Sequence, residues 1–406
     1  RDQPRSRGLG DVYKRQPQFA MIWFGAALSI AEIMTGTYLA PLGLTQGLYA
    51  IILGHIIGGI LLFGAGLIGG RLRQGSMNTT AFSFGPLGAK GFAFLNMLQL
   101  IGWTSIMIYD AMLALQELAP LSPMIWTIAI GALVILWLFI GLHNTGYIQA
   151  IVSVLLLGLT LYMGAHMISQ WPSEGILLTS GNMSFIAALE LSIAMPLSWL
   201  PLISDYTRES KKPFSASLTS ATVYTVTSIV MYTLGLSAAI FGGGDSIITI
   251  MMNAGLGLAG LIVIIFSTVT TTFMDAYSAG VSSTTIYNGA SSKGIAVIVT
   301  IVGTIAAILY PMDDITDFLY LIGSVFAPMI AILLADYFIN RQQVQTLSAY
   351  LVRGLIWAVS VGLYHYMLHS ESTIGATLPA FTMAFVVTAI VGFISKTAHT
   401  SAEIKQ

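Results

Sequence analysis

Residues 191–201, LSIAMPLSWLP, and residues 23–36, WFGAALSIAEIMTG, are hydrophobic stretches interrupted by small, hydroxyl or proline residues. Pro196 and Pro201 have no amide proton, so carbonyls one turn earlier lose their helical partners. Unwound backbone of this kind is tolerated at membrane depth where it lines a cavity. The two stretches therefore predict a pair of broken transmembrane helices beside a central site. A proline kink that only shapes packing is the alternative.

The composition of the whole chain points to lipid as its solvent. Of 406 residues, 56% are hydrophobic and 8% are charged, and the mean hydropathy is +0.83, whereas soluble domains have about 25% charged residues. This excludes soluble catalysis and nucleic-acid binding, and the absence of cysteine excludes disulfides and thiolate metal sites. Apolar runs of about 20 residues predict twelve spans, at 19–42, 47–70, 91–115, 123–142, 147–168, 184–204, 215–241, 254–286, 294–310, 315–338, 349–368 and 377–395.

The charged residues segregate between the two sides of these spans. Basic residues fall in alternate connections, at Arg71, Arg73, Lys90, Arg208, Lys211, Lys212, Lys293, Arg341, Lys396 and Lys405. The opposite connections contain acids and no Lys or Arg. Because cytoplasmic loops have the Lys/Arg excess, both termini are predicted to be cytoplasmic and the protein to lie in the cytoplasmic (inner) membrane.

The chain divides into segments along its length. Residues 1–16 contain five of the sixteen Lys/Arg and no apolar run, so we interpret them as a non-native or disordered extension, with a basic cytoplasmic tail as the alternative. The later segments are a first five-helix repeat, a second inverted repeat, two extra helices and a cytoplasmic tail, at 17–168, 184–338, 349–395 and 396–406. The repeat is indicated by LSIA, which recurs after five spans, and by Asp110 and Asp275 at nearly the same offset.

Four acids lie within the predicted spans and away from the loops, namely Glu32, Asp110, Glu190 and Asp275. A charged residue at the bilayer centre costs about 2.5–3.5 kcal/mol on insertion scales, so such acids normally face a polar cavity or a partner. For Asp110 and Glu190 the alternative is water at a nearby helix end. We therefore expect function to concentrate in spans 1, 3, 6 and 8.

Oxygen-rich and aromatic side chains accompany these acids. Ser267, Thr270 and Thr271 place three oxygens on one face of span 8, which suits a hard cation, although membrane threonines more often bond a carbonyl of their own helix. Trp103 lies in mid-span, where a planar ligand can stack on it; packing is the alternative. The in-span histidines are interpreted as packing or interfacial residues, with a proton relay as the alternative; they are His55, His166 and His365.

Four segments together resemble the nucleobase:cation symporter-1 family, also called the purine-cytosine permease family. They are WFGAALSIAEIMTGTYLAPLGL, QLIGW, SDYTRESKK and TTTFMDAYSAG, at 23–44, 99–103, 204–212 and 270–280. The similarity extends from Pro17 onward and is nearest to CytX, the branch thought to import the thiamine precursor hydroxymethylpyrimidine. It implies an all-α polytopic membrane protein with about 12 transmembrane helices, arranged as a LeuT-like 5+5 inverted repeat plus two C-terminal helices.

The resemblance also implies a function and a site. We expect a monomeric, non-enzymatic symporter in the lipid bilayer that imports a pyrimidine-type heterocycle, most simply hydroxymethylpyrimidine, with Na+ or H+ as coupling ion and no other cofactor. The implied substrate-binding residues are Glu32, Gln99, Trp103, Met195, Ser198, Trp199 and Asp275. The implied cation ligands are the carbonyls of Ala27 and Ile30 and the oxygens of Ser267, Thr270 and Thr271. Relatives commonly have Asn where this chain has Asp275, and some have a polar residue at Met107, so the hydrogen-bond pattern toward the ligand should differ.

Other interpretations stay open at this point. A symporter for cytosine, a purine or allantoin is the nearest alternative, and a channel is a further one. An intramembrane aspartyl protease would need paired aspartates, for which Asp110, after Tyr109, and Asp245, after three glycines, are the candidates. Four spans separate this pair, so the two carboxyls are poorly placed to meet at one scissile bond.

Overall fold

The computed structural model describes residues 16–140, 183–241, 257–370 and 372–403, with isolated positions between 151 and 169. Most of predicted span 5, the predicted short helix at 246–253, Asp245 and His166 lie outside these residues. The helices are α1 Gln16–Ala27, α2 Ile30–Thr37, α3 Leu44–Leu72, α4 Ser76–Thr79, α5 Ala81–Leu118, α6 Pro123–Ile140, α7 Phe185–Ser198, α8 Leu200–Thr207, α9 Pro213–Phe241, α10 Gly257–Ile286, α11 Ser292–Leu309, α12 Thr316–Leu334, α13 Leu347–His369 and α14 Thr377–Glu403. A short 3-10 turn, Ala40–Leu42, and a π-helical segment, Ala335–Asn340, complete the order.

The lengths and compositions of these helices suit a membrane. Within the described residues, nine helices are long and apolar enough to cross a bilayer, and the bent pair α1–α2 makes a tenth. α10 is 30 residues long and corresponds to predicted span 8. The predicted fold class, an all-α polytopic membrane protein, is confirmed.

The first span is broken at Leu28 and Ser29, and α1 meets α2 at 49°. Ser29 is extended, with φ −134° and ψ 156°, and its side chain accepts a hydrogen bond from the Glu32 amide at 3.2 Å. Serine at the N-cap with glutamate three residues later is a capping-box pattern. The Glu32 carboxyl nevertheless turns to α9, so only half of that pattern forms.

The sixth span is broken at Trp199, between α7 and α8. Pro196 lies inside α7, and Pro201 lies in the first turn of α8, where a missing amide costs little. The LSIA sequence at 191–194 lies more than one turn before this break, whereas the LSIA at 28–31 lies across the break in span 1. The first span is bent at its break as predicted, whereas the sixth is interrupted at the single residue Trp199, whose dihedral angles stay in the helical region, and together α7 and α8 form one apolar span. The two LSIA strings therefore do not mark equivalent positions relative to the breaks.

The helices pack into two groups. α1, α2, α3, α7, α8 and α9 contact one another, and α5, α6, α10 and α11 form a second set. Glycines permit the close approach within the first group, since a Cβ on Gly235 would overlap the carbonyl of Ile33, and one on Gly54 would overlap Ser192. The two groups meet where α1, α2 and α8 contact α10 and where α2 also contacts α5.

The last helices are held by a buried ion pair. Asp336, in the π-helical segment, accepts hydrogen bonds from Arg353 Nε at 3.2 Å and Nη2 at 2.9 Å, and from Asn340 at 2.8 Å. Asn340 also donates to the carbonyl of Thr388 on α14. Asp336 is thus a further acid at the end of a predicted span, and its partner on α13 neutralises it.

Candidate functional site

A small cavity lies between α1, α2 and α7 of the first group and α5 and α10 of the second. Six of the predicted substrate-binding residues line it, namely Glu32, Trp103, Met195, Ser198, Trp199 and Asp275. Thr271, predicted as a cation ligand, also reaches it, together with Ala26, Ser29, Ala31 and Met107. The centre of a water-sized sphere can occupy about 20 Å³, which is room for one water. A six-membered ring therefore requires the walls to separate.

Gln99 is the predicted substrate-binding residue that does not line the cavity. Its amide nitrogen donates to Asn96 at 2.8 Å and to the carbonyl of Ser198 at 3.4 Å. Asn96 donates in turn to Ser282 at 2.8 Å and to the carbonyl of Pro201. These bonds join α5 to the broken sixth span and to α10, so in this structure Gln99 positions the wall behind Trp103.

Aromatic rings form much of the cavity wall. Trp103 is 7% exposed, and its ring packs edge-on against Phe318 of α12 with centroids 5.4 Å apart. On the opposite wall, Trp199 packs edge-on against Trp23 at 5.5 Å, and Trp23 contacts Tyr206 at 5.8 Å. Two indoles thus face the same space from different helix groups, an arrangement suited to a planar ligand.

The two acids of the cavity differ in their hydrogen bonding. Glu32 accepts from the Tyr224 hydroxyl at 2.6 Å and from the Ser228 hydroxyl at 2.5 Å, both on α9. Asp275 is 4% exposed, and within the described residues no protein group donates to its carboxyl. A buried polar group without a partner is costly, so Asp275 is the acid that is available to a ligand.

The other two in-span acids lie away from the cavity. Glu190 accepts from the amides of Ala376 at 2.8 Å and Thr377 at 3.0 Å, so it caps the start of α14. Asp110 follows Tyr109, whose hydroxyl donates to Asp313 in the connection after α11 at 3.0 Å. Glu190 thus has a structural role near the start of α7, whereas Asp110 lies about two turns before the end of α5 and its alternative of water at a helix end stays a prediction.

The hydroxyls of α10 meet the broken first span. Ser267 donates to the carbonyl of Leu28, and Thr271 donates to that of Gly25 at 3.3 Å. Thr270 bonds carbonyls of its own helix, at 2.8 and 2.9 Å. Within the described residues, α10 forms no hydrogen bond with the expected carbonyls of Ala27 and Ile30, whose role as cation ligands stays a prediction. The Ala27 carbonyl accepts from the Ser29 amide at 3.1 Å within the break, and Ile30 is already the first residue of α2.

This junction offers only neutral oxygens to a cation. Within the described residues, no group of three or more His, Cys, Asp or Glu side chains could hold a metal ion. Neutral carbonyl and hydroxyl oxygens suit hard cations, whereas softer transition metals prefer thiolate and imidazole ligands. The junction of Gly25 and Leu28 with Ser267 and Thr271 is therefore the candidate cation site.

A family model described as "Permease for cytosine/purines, uracil, thiamine, allantoin" matches residues 14–403. The chain belongs to this permease family. Among curated relatives, the cytosine permease of Escherichia coli (strain K12) is 22% identical over 350 residues, which cover 84% of this chain and 83% of that permease. The resemblance to nucleobase:cation symporters inferred from sequence motifs is thereby confirmed.

Solved transporter structures share the fold of this permease. Mhp1, a nucleobase-cation-symport-1 family transporter in a closed conformation with bromovinylhydantoin bound, superimposes with a TM-score of 0.79 at 18% identity, covering 94% of this chain and 92% of Mhp1. A Na+-coupled sialic acid symporter gives 0.70 at 15% identity, covering 96% and 92%. These likenesses confirm the LeuT-like architecture.

Proposed function

We propose that this permease is a cation-coupled symporter of the cytoplasmic membrane that imports a 4-aminopyrimidine. The observation that supports this most directly is the unpartnered Asp275 carboxyl, which faces the same cavity as Trp103. A ring that stacks on the indole can direct its exocyclic amino group to the carboxylate in a charge-assisted hydrogen bond. Hydroxymethylpyrimidine is the first candidate substrate. Cytosine, which has the same amino edge and is the substrate named for the E. coli relative, is the second.

Sodium is the coupling ion that the α1–α10 junction suits. Gly25 and Leu28 contribute carbonyls from the break in the first span, and Ser267 and Thr271 contribute hydroxyls from α10. A sodium ion there would bind oxygens from both helix groups. Because Thr271 also reaches the cavity, the ion and the substrate would share one wall.

Counterflow in proteoliposomes tests the substrate. Radiolabelled hydroxymethylpyrimidine and radiolabelled cytosine are each exchanged against an internal pool, with purine and allantoin as competitors. We expect both aminopyrimidines to exchange and to compete with each other. Exchange of purine or allantoin alone would refute the aminopyrimidine assignment.

Replacement of sodium by choline at constant pH tests the ion. Thr271→Val should lower the apparent sodium affinity, because the hydroxyl that meets the first span is lost while the shape is kept. Thr270→Val is the matched control, since its hydroxyl bonds its own helix and should not change sodium dependence. Uptake that is undiminished in choline would exclude this sodium site.

A further inference from the structure

A chain of hydrogen bonds leads from the cavity into the first helix group. Glu32 Oε2 lies 2.5 Å from the Ser228 hydroxyl, and this hydroxyl lies 2.7 Å from His55 Nε2. His55 Nδ1 lies 2.9 Å from the carbonyl oxygen of Ile51. Glu32, Ser228 and His55 are at most 2% exposed, so these partners are shielded from water. The chain links α2, α9 and α3.

The number of protons on this chain follows from what each atom can donate. A carbonyl oxygen only accepts, so His55 Nδ1 must hold a hydrogen toward Ile51. The Ser228 hydroxyl has one proton for two neighbours. If that proton goes to a Glu32 carboxylate, His55 Nε2 must donate as well, and the ring is an imidazolium. If instead a protonated Glu32 donates to Ser228, the hydroxyl donates to Nε2 and the ring is neutral.

Both arrangements contain the same number of protons. This number is one more than the chain would contain if Glu32 were a carboxylate and His55 a neutral imidazole at the same time. Without this proton, one of three pairs of atoms would face each other with lone pairs. The pair is His55 Nε2 and the Ser228 oxygen at 2.7 Å, the Ser228 oxygen and Glu32 at 2.5 Å, or, in the other histidine tautomer, His55 Nδ1 and the Ile51 carbonyl at 2.9 Å. Such a contact leaves two buried acceptors without a hydrogen between them. The two protonated arrangements differ only by a shift of hydrogens along the chain.

Other titratable groups face this chain from the helices packed around it. From α9, Tyr224 donates to Glu32 Oε1 at 2.6 Å, which suits both arrangements, and Tyr232 packs edge-on against His55 with centroids 4.7 Å apart. From α10, Asp275 faces the same cavity as Glu32. α5 presents Trp103 and Met107 there, which do not titrate.

We propose that Glu32, Ser228 and His55 form a proton-binding site, separate from the candidate sodium junction, whose single proton is carried with the substrate. The inference rests on the proposed function, because Glu32 also lines the cavity in which the substrate would bind. It follows that a ligand which moves α2 changes the contacts that retain the proton. Proton and substrate then favour the same conformation.

Uptake driven by a pH gradient tests the coupling. Proteoliposomes with equal sodium on both sides receive radiolabelled cytosine and an inward proton gradient of about one pH unit. Coupling of one proton per substrate gives a limiting accumulation of about tenfold for each pH unit. Ser228→Ala and His55→Gln should abolish this accumulation while retaining counterflow at zero gradient, which reports folding. His365→Gln on α13 is the matched control and should accumulate cytosine as the unchanged protein does.

Spectroscopy can detect the proton on this chain without any substrate. Infrared difference spectra should show a carboxylic-acid band that disappears in Glu32→Gln, or nitrogen NMR of labelled histidine should show an imidazolium that disappears in His55→Gln. The proposal would be overturned if both signals were absent at neutral pH. It would also be overturned if Ser228→Ala and His55→Gln still accumulated cytosine about tenfold. An unchanged protein that exchanges cytosine without responding to the pH gradient would also overturn it. Absence of all counterflow would instead contradict the proposed substrate, while the spectra would still decide the proton site.

Discussion

The Asp275→Asn substitution tests whether the cavity binds an amino-bearing ring through its unpartnered acid. Asparagine keeps the size of the side chain and one carbonyl acceptor but removes the negative charge. A hydrogen bond to a charged group contributes about 1.5–3 kcal/mol, and a neutral one about 0.5–1.5 kcal/mol. The substitution should therefore cost about 1–2 kcal/mol, which corresponds to about a 5- to 30-fold loss of affinity for cytosine.

The direction of the effect should depend on the ligand. Uracil presents a carbonyl oxygen where cytosine has its amino group, so a carboxylate at Asp275 repels it. The amide of Asn can donate to that oxygen. We therefore expect Asp275→Asn to reduce the preference for cytosine over uracil, a change that a general loss of folding cannot produce.

Competition in counterflow supplies the measurement, with unlabelled cytosine and uracil displacing radiolabelled cytosine. Asp110→Asn is the matched control, because Asp110 is also a buried acid within a span but lies outside the cavity. It should leave both affinities unchanged. If Asp275→Asn leaves the affinities and the preference as they were in a protein of unchanged thermal stability, the assignment of the acid to the ligand is wrong.

Substitutions at three further positions have distinct expected outcomes. Trp103→Ala removes a stacking surface worth about 1–3 kcal/mol for each base, so equilibrium binding of cytosine should weaken by about 5- to 150-fold, and Trp103→Phe should restore most of it. Arg353→Met leaves the Asp336 carboxylate buried without its partner, which should cost about 3–5 kcal/mol and lower the melting temperature in detergent; an unchanged melting temperature would contradict the buried pair. Glu190→Gln removes the charge that caps α14 and should cost about 0.5–2 kcal/mol in the same thermal assay without changing the affinity for cytosine.

Much of the architecture could be predicted from the sequence because lipid imposes simple rules. Runs of apolar residues mark the spans, and small, hydroxyl and proline residues mark where helices break. The breaks at Ser29 and Trp199 fall within the predicted segments. The LSIA match misled in detail, because inverted repeats align by backbone geometry and not by a shared four-letter string.

The site was harder to predict because helix rotation depends on tertiary packing. Glu32, Asp110, Glu190 and Asp275 were all candidates as in-span acids, with a nearby helix end as the alternative for Asp110 and Glu190, and of the four Glu32 and Asp275 face the cavity. Nothing in the local sequence distinguishes Glu190, whose partners are the amides of a helix start far along the chain.

Backbone geometry also limited the prediction of the cation site. A break in a helix can turn any of several carbonyls outward. In the structure Ser29 is extended, the carbonyls of Leu28 and Gly25 accept hydrogen bonds from α10, and the Ala27 carbonyl accepts one within the break. The partners of Glu32 were likewise missed, because Tyr224 and Ser228 are ordinary residues in an apolar span. The one available signal was the in-span His55, for which a proton relay was only the alternative.

The positions of the two candidate sites give a physical reason for coupling. Trp103 and Asp275 belong to the α5–α10 group, whereas Ser198 and Trp199 belong to the group that contains the broken helices. A ligand in the cavity would contact both groups, and a cation at the α1–α10 junction would bind oxygens from both as well. A motion that separates the groups would therefore break the substrate contacts and the cation contacts together. Each ligand then favours the conformation in which the other is held, and this reciprocity is what thermodynamic coupling requires.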